Sequence, residues 1–315
     1  MAGDLDPTLA ARVRAIADDH LSGASTLSHK AIEILIDVHR TGAGPVDAVA
    51  CALCAAQPTM ASVWNAATMA VGDGGLPGLQ RFATQVRRAP QVLARLLSDL
   101  LLTRSDEPGR APGPMVIATV SASESVRVCF EALSERTELR VICAEARPLM
   151  EGRHLATDLA AAGIPTTLCT DAGIGAVIAA PGARLEAVVV GADAVAPRWF
   201  INKCGTRHVV DIAAGLGVPS YVVASRDKFI HEVLADELRP NQGPPEDVWQ
   251  HPPRGVSVAN PYFERVPVES VATFVTDAGT LGPGSVSELC QSVATRADAV
   301  HLAALLRHAR VQDTP

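Results

Sequence analysis

Residues 115–144 read MVIATVSASESVRVCFEALSERTELRVICA, which is a short apolar run, a helical stretch and a second short apolar run. The two runs cover residues 115–120 and 139–144, and both contain β-branched side chains. Strands that are buried on both faces have this pattern in parallel sheets, where a helix connects neighbouring strands. The stretch therefore predicts a strand–helix–strand unit at the start of an α/β domain.

The same alternation continues towards the end of the chain. Further strands are predicted from short apolar runs at residues 166–169, 186–190, 220–225 and 273–276. Helices are predicted at residues 123–133, 149–162, 174–179, 206–216 and 286–295. Residues 231–262 are rich in proline and polar side chains and predict a long loop or arm. Short apolar strands that alternate with helices are typical of a mostly parallel sheet.

The first third of the chain predicts helices only. The apolar side chains of one predicted helix recur at the spacing of a single helix face, and they are Leu27, Ala31, Ile34, Leu35 and Val38. A polar segment rich in proline and glycine follows and predicts a linker. We therefore predict an α/β protein with an N-terminal helical domain at residues 1–107, a linker at 108–114 and a sheet domain at 115–315.

Charge and cysteine content limit the partners and the compartment that we expect. The chain has a formal net charge of -7 and an isoelectric point near 5.7, whereas domains that bind duplexes carry clustered lysine and arginine. The number of cysteines is seven, no leader pattern follows Met1, and no apolar run has the length of a bilayer span. We expect a cytoplasmic protein with reduced thiols that binds neither nucleic acid nor membrane.

The motifs of common cofactors do not occur in the sequence. No glycine-rich nucleotide fingerprint follows a predicted strand, and the histidines show no paired spacing with cysteines. Cys51 and Cys54 form a CxxC pair, but they lie in an alanine-rich helical stretch, so we interpret them as a buried helix face rather than a redox or metal site. We expect neither a cofactor nor a metal.

Polar side chains follow the predicted strands at the edge where ligands bind in open parallel sheets. These candidates are Ser121, Ser123, Arg147, Arg153, Asp193 and Lys228 at strand ends, and Asn202 and Lys203 at the opening of the helix predicted to follow. The cationic groups suit phosphate, and Asp193 is the obvious proton-transfer carboxylate. Any one of them alone also fits a surface arginine or a capping aspartate, but their convergence on one sheet edge favours a site.

Six motifs occur in an order that resembles a known family. They are EARP-(x)3-GR at residues 145–153, AGIP at 162–165, GADA at 191–194, NKCGT at 202–206, DKF at 227–229 and NPYF at 260–263. The segments SGAS at 22–25 and QPTM at 57–60 add to the resemblance. The family joins the α, β and δ subunits of eukaryotic translation initiation factor 2B to aldose–ketose isomerases, which act on ribose 1,5-bisphosphate and methylthioribose 1-phosphate.

The resemblance implies a helical domain packed on a Rossmann-like domain with a phosphosugar site, in a homo-oligomer that is a dimer or a hexamer. It implies that Asp193 is the acid/base, and that Asn202, Lys203 and Lys228 bind substrate. The N-terminal phosphate-binding positions correspond to Ser22, Gly23, Ala24 and Gln57. Ser121 corresponds to a catalytic cysteine of the isomerases, and Ser22 and Gln57 correspond to arginines.

These departures leave two hypotheses. A serine hydroxyl is a much weaker acid than a thiol, and two fewer arginines weaken phosphate recognition. The first hypothesis is an enzyme that isomerises a phosphorylated pentose from aldose to ketose with a non-standard site that includes Asp193 and Ser121. The alternative is a non-catalytic regulatory subunit similar to initiation factor 2B, in which the same pocket senses a phosphometabolite. The sequence favours the isomerase and does not specify the sugar.

Overall fold

The computed structural model describes residues 5–19, 23–105, 113–240 and 242–312. The strands in these ranges are β1 Met115–Val120, β2 Leu139–Ala144, β3 Thr166–Cys169, β4 Leu185–Gly191, β5 Ala194–Val195, β6 Trp199–Lys203, β7 Ser220–Val223, β8 Phe263–Pro267, β9 Thr273–Thr276 and β10 Gly279–Leu281. The helices are α1 Pro7–Ala17, α2 Ala24–Thr41, α3 Val46–Ala56, α4 Ala61–Val71, α5 Gly75–Ser105, α6 Glu124–Ser134, α7 Glu151–Ala161, α8 Ile174–Ile178, α9 Thr206–Gly215, α10 Glu232–Ala235, α11 Val286–Ser292 and α12 Arg296–Gln312.

A seven-stranded sheet forms the centre of the C-terminal part, in the order β10-β9-β7-β4-β1-β2-β3. Its strands are parallel except β10, which runs antiparallel to β9. Successive side chains of a strand point to opposite faces, yet Val188, Val189 and Val190 of β4 are all fully buried. Both faces are therefore covered, which explains the uninterrupted apolar runs. The predicted α/β fold, with a helical N-terminal region and a mostly parallel sheet, is confirmed.

The strand order reverses in the middle of this sheet. The chain enters at β1, continues outwards to β2 and β3, and then returns to the other side of β1 as β4. The connections leaving β1 and β4 therefore diverge and open a crevice at the carboxyl ends of these two strands. Crevices at such a switch point are the usual ligand sites of open α/β sheets.

A second, three-stranded antiparallel sheet was not predicted from the sequence. It consists of β5, β6 and β8 in that order. Lys203 is the last residue of β6, and α9 begins only at Thr206, so the expectation that residues 202–206 open the helix is corrected. The extended β6 is stabilised by pairing with β8, which lies about sixty residues further along the chain. A pairing over this separation leaves no signal in the local pattern.

The N-terminal helices share a core with the end of the chain. The apolar face predicted for α2 is buried, as expected. Ala299, Leu302 and Ala303 of α12 lie in the same apolar cluster as the buried side chains of α3 and α4. The sequence predicted one last helix at residues 286–295, whereas the structure has α11 and then α12. None of the helices in the described ranges combines the length and apolar character that a bilayer crossing needs.

Candidate functional site

A cavity of about 180 Å³ lies at the carboxyl ends of β1 and β4, between the sheet and the N-terminal helices. It is lined by nine of the residues selected from the sequence, namely Gly23, Ala24, Gln57, Ser121, Ser123, Asp193, Asn202, Lys203 and Lys228. Ser22 lies outside the described residues. The fold therefore brings together candidates from segments that are far apart in the chain.

Asp193 occupies the turn between β4 and β5. Its backbone N–H donates to the carbonyl of Ile201 at 2.8 Å, and its carbonyl accepts from the backbone N–H of Ala61 at 2.9 Å. Burial raises the pKa of the Asp193 carboxyl, the ammonium groups of Lys228 and Lys203 lower it, and Glu151 raises it, with a raised pKa as the net result. A carboxyl with a raised pKa is better suited to take up and release a proton near neutral pH.

Lys203 projects from the end of β6 and is almost completely buried. Its Nζ lies 2.5 Å from Oε1 of Glu151, at the start of α7. The same ammonium group lies 4.8 Å from the ring centroid of Tyr262 and 5.8 Å from that of Phe263, within the range of cation–π attraction. One carboxylate and two aromatic rings therefore hold this cation in the wall of the cavity.

Several residues of the cavity lining were not selected from the sequence. Tyr262 and Phe263 belong to the NPYF motif, whose place in the resemblance was a signal that could have found them. Glu151 occupies an unspecified position inside the EARP-(x)3-GR motif, so only its spatial position identifies it. His154, one helical turn further along α7, also lines the cavity.

Lys228 ends the short helical turn at residues 226–228 that follows β7, and it is 6% exposed. Nδ2 of Asn65 in α4 donates to the carbonyl oxygens of Asp227 and Phe229, at 2.7 Å each. An N-terminal helix thus holds the turn that carries Lys228. Within the described residues Lys228 forms no ion pair, although its charge lowers the pKa of Asp193.

Ser121 directly follows β1 and has a φ of 65°. This left-handed conformation is unfavourable for a residue with a Cβ atom, and such residues concentrate at functional sites. Ser123 is the N-cap of α6, and its Oγ accepts from the backbone N–H of Val126 at 3.5 Å. A Cβ atom on Gly191 would lie 2.7 Å from this Oγ, so glycine permits the close approach of β4 to the start of α6. The N-terminus of α6, which favours anions, therefore faces the cavity.

The side-chain amides of Asn202 and Gln57 both donate hydrogen bonds to other groups of the protein. Nδ2 of Asn202 donates to Oγ1 of Thr206 at 2.8 Å, which connects β6 to α9. Nε2 of the buried Gln57 donates to the carbonyl of Ile16 in α1 at 2.7 Å. Gln57 therefore contributes no charge to the cavity, and its amide nitrogen is directed to the protein.

The structure does not bring Arg147 and Arg153 into the cavity lining. The Arg147 side chain is exposed, and the backbone N–H of this residue donates to Asp171 at 2.7 Å. Arg153 is exposed and forms an ion pair with Glu145 at 2.8 Å. Ligand contacts of these two arginines stay predictions. In the part of the chain that the structure describes, His, Cys, Asp and Glu side chains form no group of three that could hold a metal ion.

The comparison with known families supplies the identity. The model of the initiation factor 2 subunit family matches residues 44–283. The chain belongs to the initiation factor 2 subunit family. This confirms the resemblance drawn from the ordered motifs, and the matched range includes the cavity residues from Gln57 to Phe263.

Relatives of this family member carry isomerase names. The chain is 33% identical over 173 residues to a putative methylthioribose-1-phosphate isomerase of Archaeoglobus fulgidus. The matched segment covers 53% of this chain and 50% of the relative. It is 31% identical over 175 residues to 5-deoxyribose 1-phosphate isomerase of Moorella thermoacetica, with 53% and 49% covered. It is 29% identical over 175 residues to ribose 1,5-bisphosphate isomerase of Methanocaldococcus jannaschii, with 54% and 56% covered. The chain spans about half the length of the curated relatives it matches.

Solved structures share the fold over most of the chain. Translation initiation factor eIF-2B of Pyrococcus horikoshii superposes with a TM-score of 0.73 at 24% identity and covers 89% of this chain and 98% of its own. A chain of the tetrameric eIF2B-β2δ2 complex of C. thermophilum superposes with a TM-score of 0.68 at 15% identity, with 91% and 94% covered. At these identities the likeness establishes the fold.

Proposed function

We propose that the protein isomerises a phosphorylated pentose from an aldose to a ketose, with Asp193 as the proton-transfer group. The observation that carries this proposal is the Asp193 carboxyl itself. Its pKa is raised by burial, and the electrostatic effects of Lys203 and Lys228 both act on it, at the switch point of the sheet. The substrate class is supported by the isomerase names of the relatives.

In this proposal the cavity residues divide into binding and proton-transfer groups. Lys228 and the N-terminus of α6 bind the phosphate, since both favour an anion. Asp193 first gives its proton to the ring oxygen, and the bond from that oxygen to C1 breaks, which leaves C1 doubly bonded to the phosphate-ester oxygen. The resulting carboxylate removes the proton from C2, the electrons of that C–H bond form a double bond between C1 and C2, and the double bond from C1 to the ester oxygen becomes single again. The C2 hydroxyl then loses its proton and becomes a carbonyl as C1 is protonated, which gives the ketose. Ser121 positions the sugar and transfers no proton, because a hydroxyl is a weak acid.

The test is hydrogen exchange on the sugar. The protein is incubated in deuterated water with 5-deoxyribose 1-phosphate, ribose 1-phosphate and ribose 1,5-bisphosphate, and proton NMR follows the C2 signal and the ketose product. We expect loss of the C2 signal and formation of a ketose on at least one sugar. If a sugar saturates the protein, as judged by calorimetry, and neither change occurs, the isomerase proposal is wrong.

One observation favours the non-catalytic alternative, in which the pocket senses a phosphometabolite. Ser121 stands where the resemblance implies a catalytic cysteine, so one proton-transfer group of the isomerases is replaced by a weak acid. Saturable binding of a phosphosugar without any exchange would support this regulatory function. The two functions therefore predict the same ligand class and differ only in turnover.

We propose further that the protein is a cytoplasmic homo-oligomer, a dimer or a hexamer, that uses no cofactor or metal. The support is family membership and the absence of cofactor motifs. Multi-angle light scattering across a range of concentrations measures the oligomer. A monomer at micromolar concentration, or stoichiometric metal in elemental analysis of the purified protein, would contradict this part of the proposal.

A further inference from the structure

The charges that line the cavity are predominantly negative. Among the described residues the carboxylates in its lining are Asp19, Glu124, Glu151 and Asp193, and the lysines are Lys203 and Lys228. Gln57 is uncharged, and Arg147 and Arg153 lie outside the lining. Asp19 is paired with Lys30 at 2.8 Å, so the remaining carboxylates are Glu124, Glu151 and Asp193, against two lysines. A ligand with several phosphates therefore meets a wall with more carboxylates than ammonium groups.

The charge of Lys203 is already compensated by the protein. Its Nζ lies 2.5 Å from Oε1 of Glu151, and the two side chains are only 4% and 22% exposed. Partly buried pairs are screened little by salt, so Glu151 offsets much of the attraction that Lys203 offers to an anion. The other oxygen, Oε2, is buried and has no hydrogen-bond donor among the described residues. This oxygen can therefore accept a hydrogen bond from a ligand hydroxyl, whereas an anionic group placed beside it would be repelled.

Lys228 is then the cation of the lining that the protein has not paired. Within the described residues it forms no ion pair, and it lies close enough to Asp193 to lower the pKa of that carboxyl. One ammonium group together with the N-terminus of α6 suits one phosphate. Among the described residues the other lysine of the lining is Lys203, so a second phosphate would have to approach the Lys203–Glu151 pair. Repulsion of the wrong ligand is an efficient source of specificity.

We infer that Glu151 is a specificity-determining residue that restricts the pocket to sugars with a single phosphate group and an uncharged substituent elsewhere. The inference rests on the proposed function, because it takes a phosphosugar as the ligand. It assigns the choice between monophosphate and bisphosphate sugars to the ion pair of Glu151 with Lys203.

The test is a comparison of affinities by isothermal titration calorimetry. The ligands are 5-deoxyribose 1-phosphate, ribose 1-phosphate and ribose 1,5-bisphosphate, which share the 1-phosphate and differ at C5. We expect the wild type to bind both monophosphates more tightly than the bisphosphate, by at least about tenfold. Two like charges a few ångströms apart in a protein repel by more than the free energy of a tenfold change in affinity. E151Q should reduce this preference by about tenfold or more, since it removes a negative charge and releases Lys203.

Two variants serve as controls. E151D retains the charge and should retain the preference. Glu131 is another ion-paired glutamate, bound to Arg127 on α6, but neither residue lines the cavity, so E131Q should leave the preference unchanged. Thermal unfolding establishes that each variant is folded. If E151Q does not fold, the wild-type preference and its retention in E151D decide the question.

Two outcomes overturn the inference: a wild type that binds the bisphosphate as tightly as the monophosphates, and a folded E151Q with the wild-type preference. Turnover, followed by NMR in the same samples, separates this inference from the proposed function. A preference for monophosphates that depends on Glu151, without isomerisation, leaves the inference standing and contradicts the enzyme. Isomerisation of both ligand classes with no preference contradicts the inference alone.

Discussion

At the scale of the residue, the site depends on one partly buried carboxyl and two buried ammonium groups. Burial raises the pKa of Asp193, while Lys228 and Lys203 limit the increase. Lys203 is held by Glu151 and two aromatic rings, whereas Lys228 forms no ion pair within the described residues. The two lysines therefore differ in their surroundings, and in the proposed function Lys228 is the one that binds the phosphate.

Replacement of Asp193 tests its role directly. D193N keeps the shape of the side chain and removes the base, so we expect the rate of C2 exchange to decrease by roughly 10²–10⁴-fold. The affinity for the phosphosugar should change much less. Asp211 on α9 is an exposed aspartate paired with Arg207 outside the cavity, and D211N is the matched control that should exchange at the wild-type rate. Exchange that survives in D193N would show that another group is the base.

The raised pKa of Asp193 also predicts how stability changes with pH. A carboxyl with a higher pKa in the folded than in the unfolded protein favours folding when it is protonated, and this contribution is lost as the pH rises through the raised pKa. D193N is neutral at every pH. The free energy of unfolding of D193N relative to wild type should therefore increase as the pH rises above about 4, the usual pKa of an aspartate.

Urea denaturation of both proteins at each pH measures this difference. D211N should show a smaller change over the same range, because exposed ion pairs contribute little to stability. A difference between D193N and wild type that is constant with pH, or that decreases towards neutral pH, would contradict the raised pKa.

At the scale of the element, α4 connects the helical region to the site. Its first residue, Ala61, donates a hydrogen bond to the carbonyl of Asp193, and Asn65 donates to the carbonyls on either side of Lys228. One helix thus positions both Asp193, the proposed proton-transfer group, and the turn that carries Lys228. The site consequently requires the packing of the N-terminal helices on the sheet domain.

Asn65 provides the test of this connection. N65A leaves the buried carbonyls of Asp227 and Phe229 without their donor, and each unsatisfied group costs about 1–3 kcal/mol. We expect lower stability in urea denaturation and weaker phosphosugar binding, because the turn that carries Lys228 loses its support. T68V is the control, since Thr68 is a buried residue of the same helix whose hydroxyl donates only to Trp64 within α4. Unchanged affinity in a folded N65A would argue against the connection.

At the scale of the whole molecule, the last helix that the structure describes packs on the N-terminal helices. α12 packs against α3 and α4, and its apolar side chains belong to the N-terminal core. The predicted boundaries at residues 107 and 115 describe where the pattern of the sequence changes. The packing of α12 nevertheless makes the N-terminal core depend on residues from the C-terminal part.

Leu302 and Val300 on α12 make this dependence measurable. Leu302 is fully buried in the N-terminal core, whereas Val300 is 43% exposed on the same helix. L302A should lower the free energy of unfolding by about 2–5 kcal/mol, the usual range for a buried leucine. V300A, the matched control, should change it by less than about 0.5 kcal/mol. Similar values for the two variants in urea denaturation would show that α12 does not pack as described.

Local patterns in the sequence predicted all six parallel strands of the main sheet and most of the helices beside them. β-branched runs and helical spacing depend on neighbours a few residues away, so they are readable without the fold. The predicted strand ends likewise selected Asp193 and Lys228, since side chains at the carboxyl ends of parallel strands converge on one edge. Asn202 and Lys203 were selected at the opening of a predicted helix, although they lie in the antiparallel strand β6. The three-stranded sheet was missed because β6 pairs with the distant β8.

Only the tertiary structure decides which polar side chains contact one another and which line the cavity. Lys203 and Glu151 are separated by 52 positions, and their ion pair depends on how β6 and α7 approach each other. Arg147 and Arg153 also come after a predicted strand, yet their side chains are exposed while Ser121 lines the cavity. A sequence specifies which residues stand at a strand end, but the direction of a side chain depends on the packing of elements that are distant along the chain. The sequence therefore determined the sheet and the chemistry at its edge, and the packing determined which charges face the ligand.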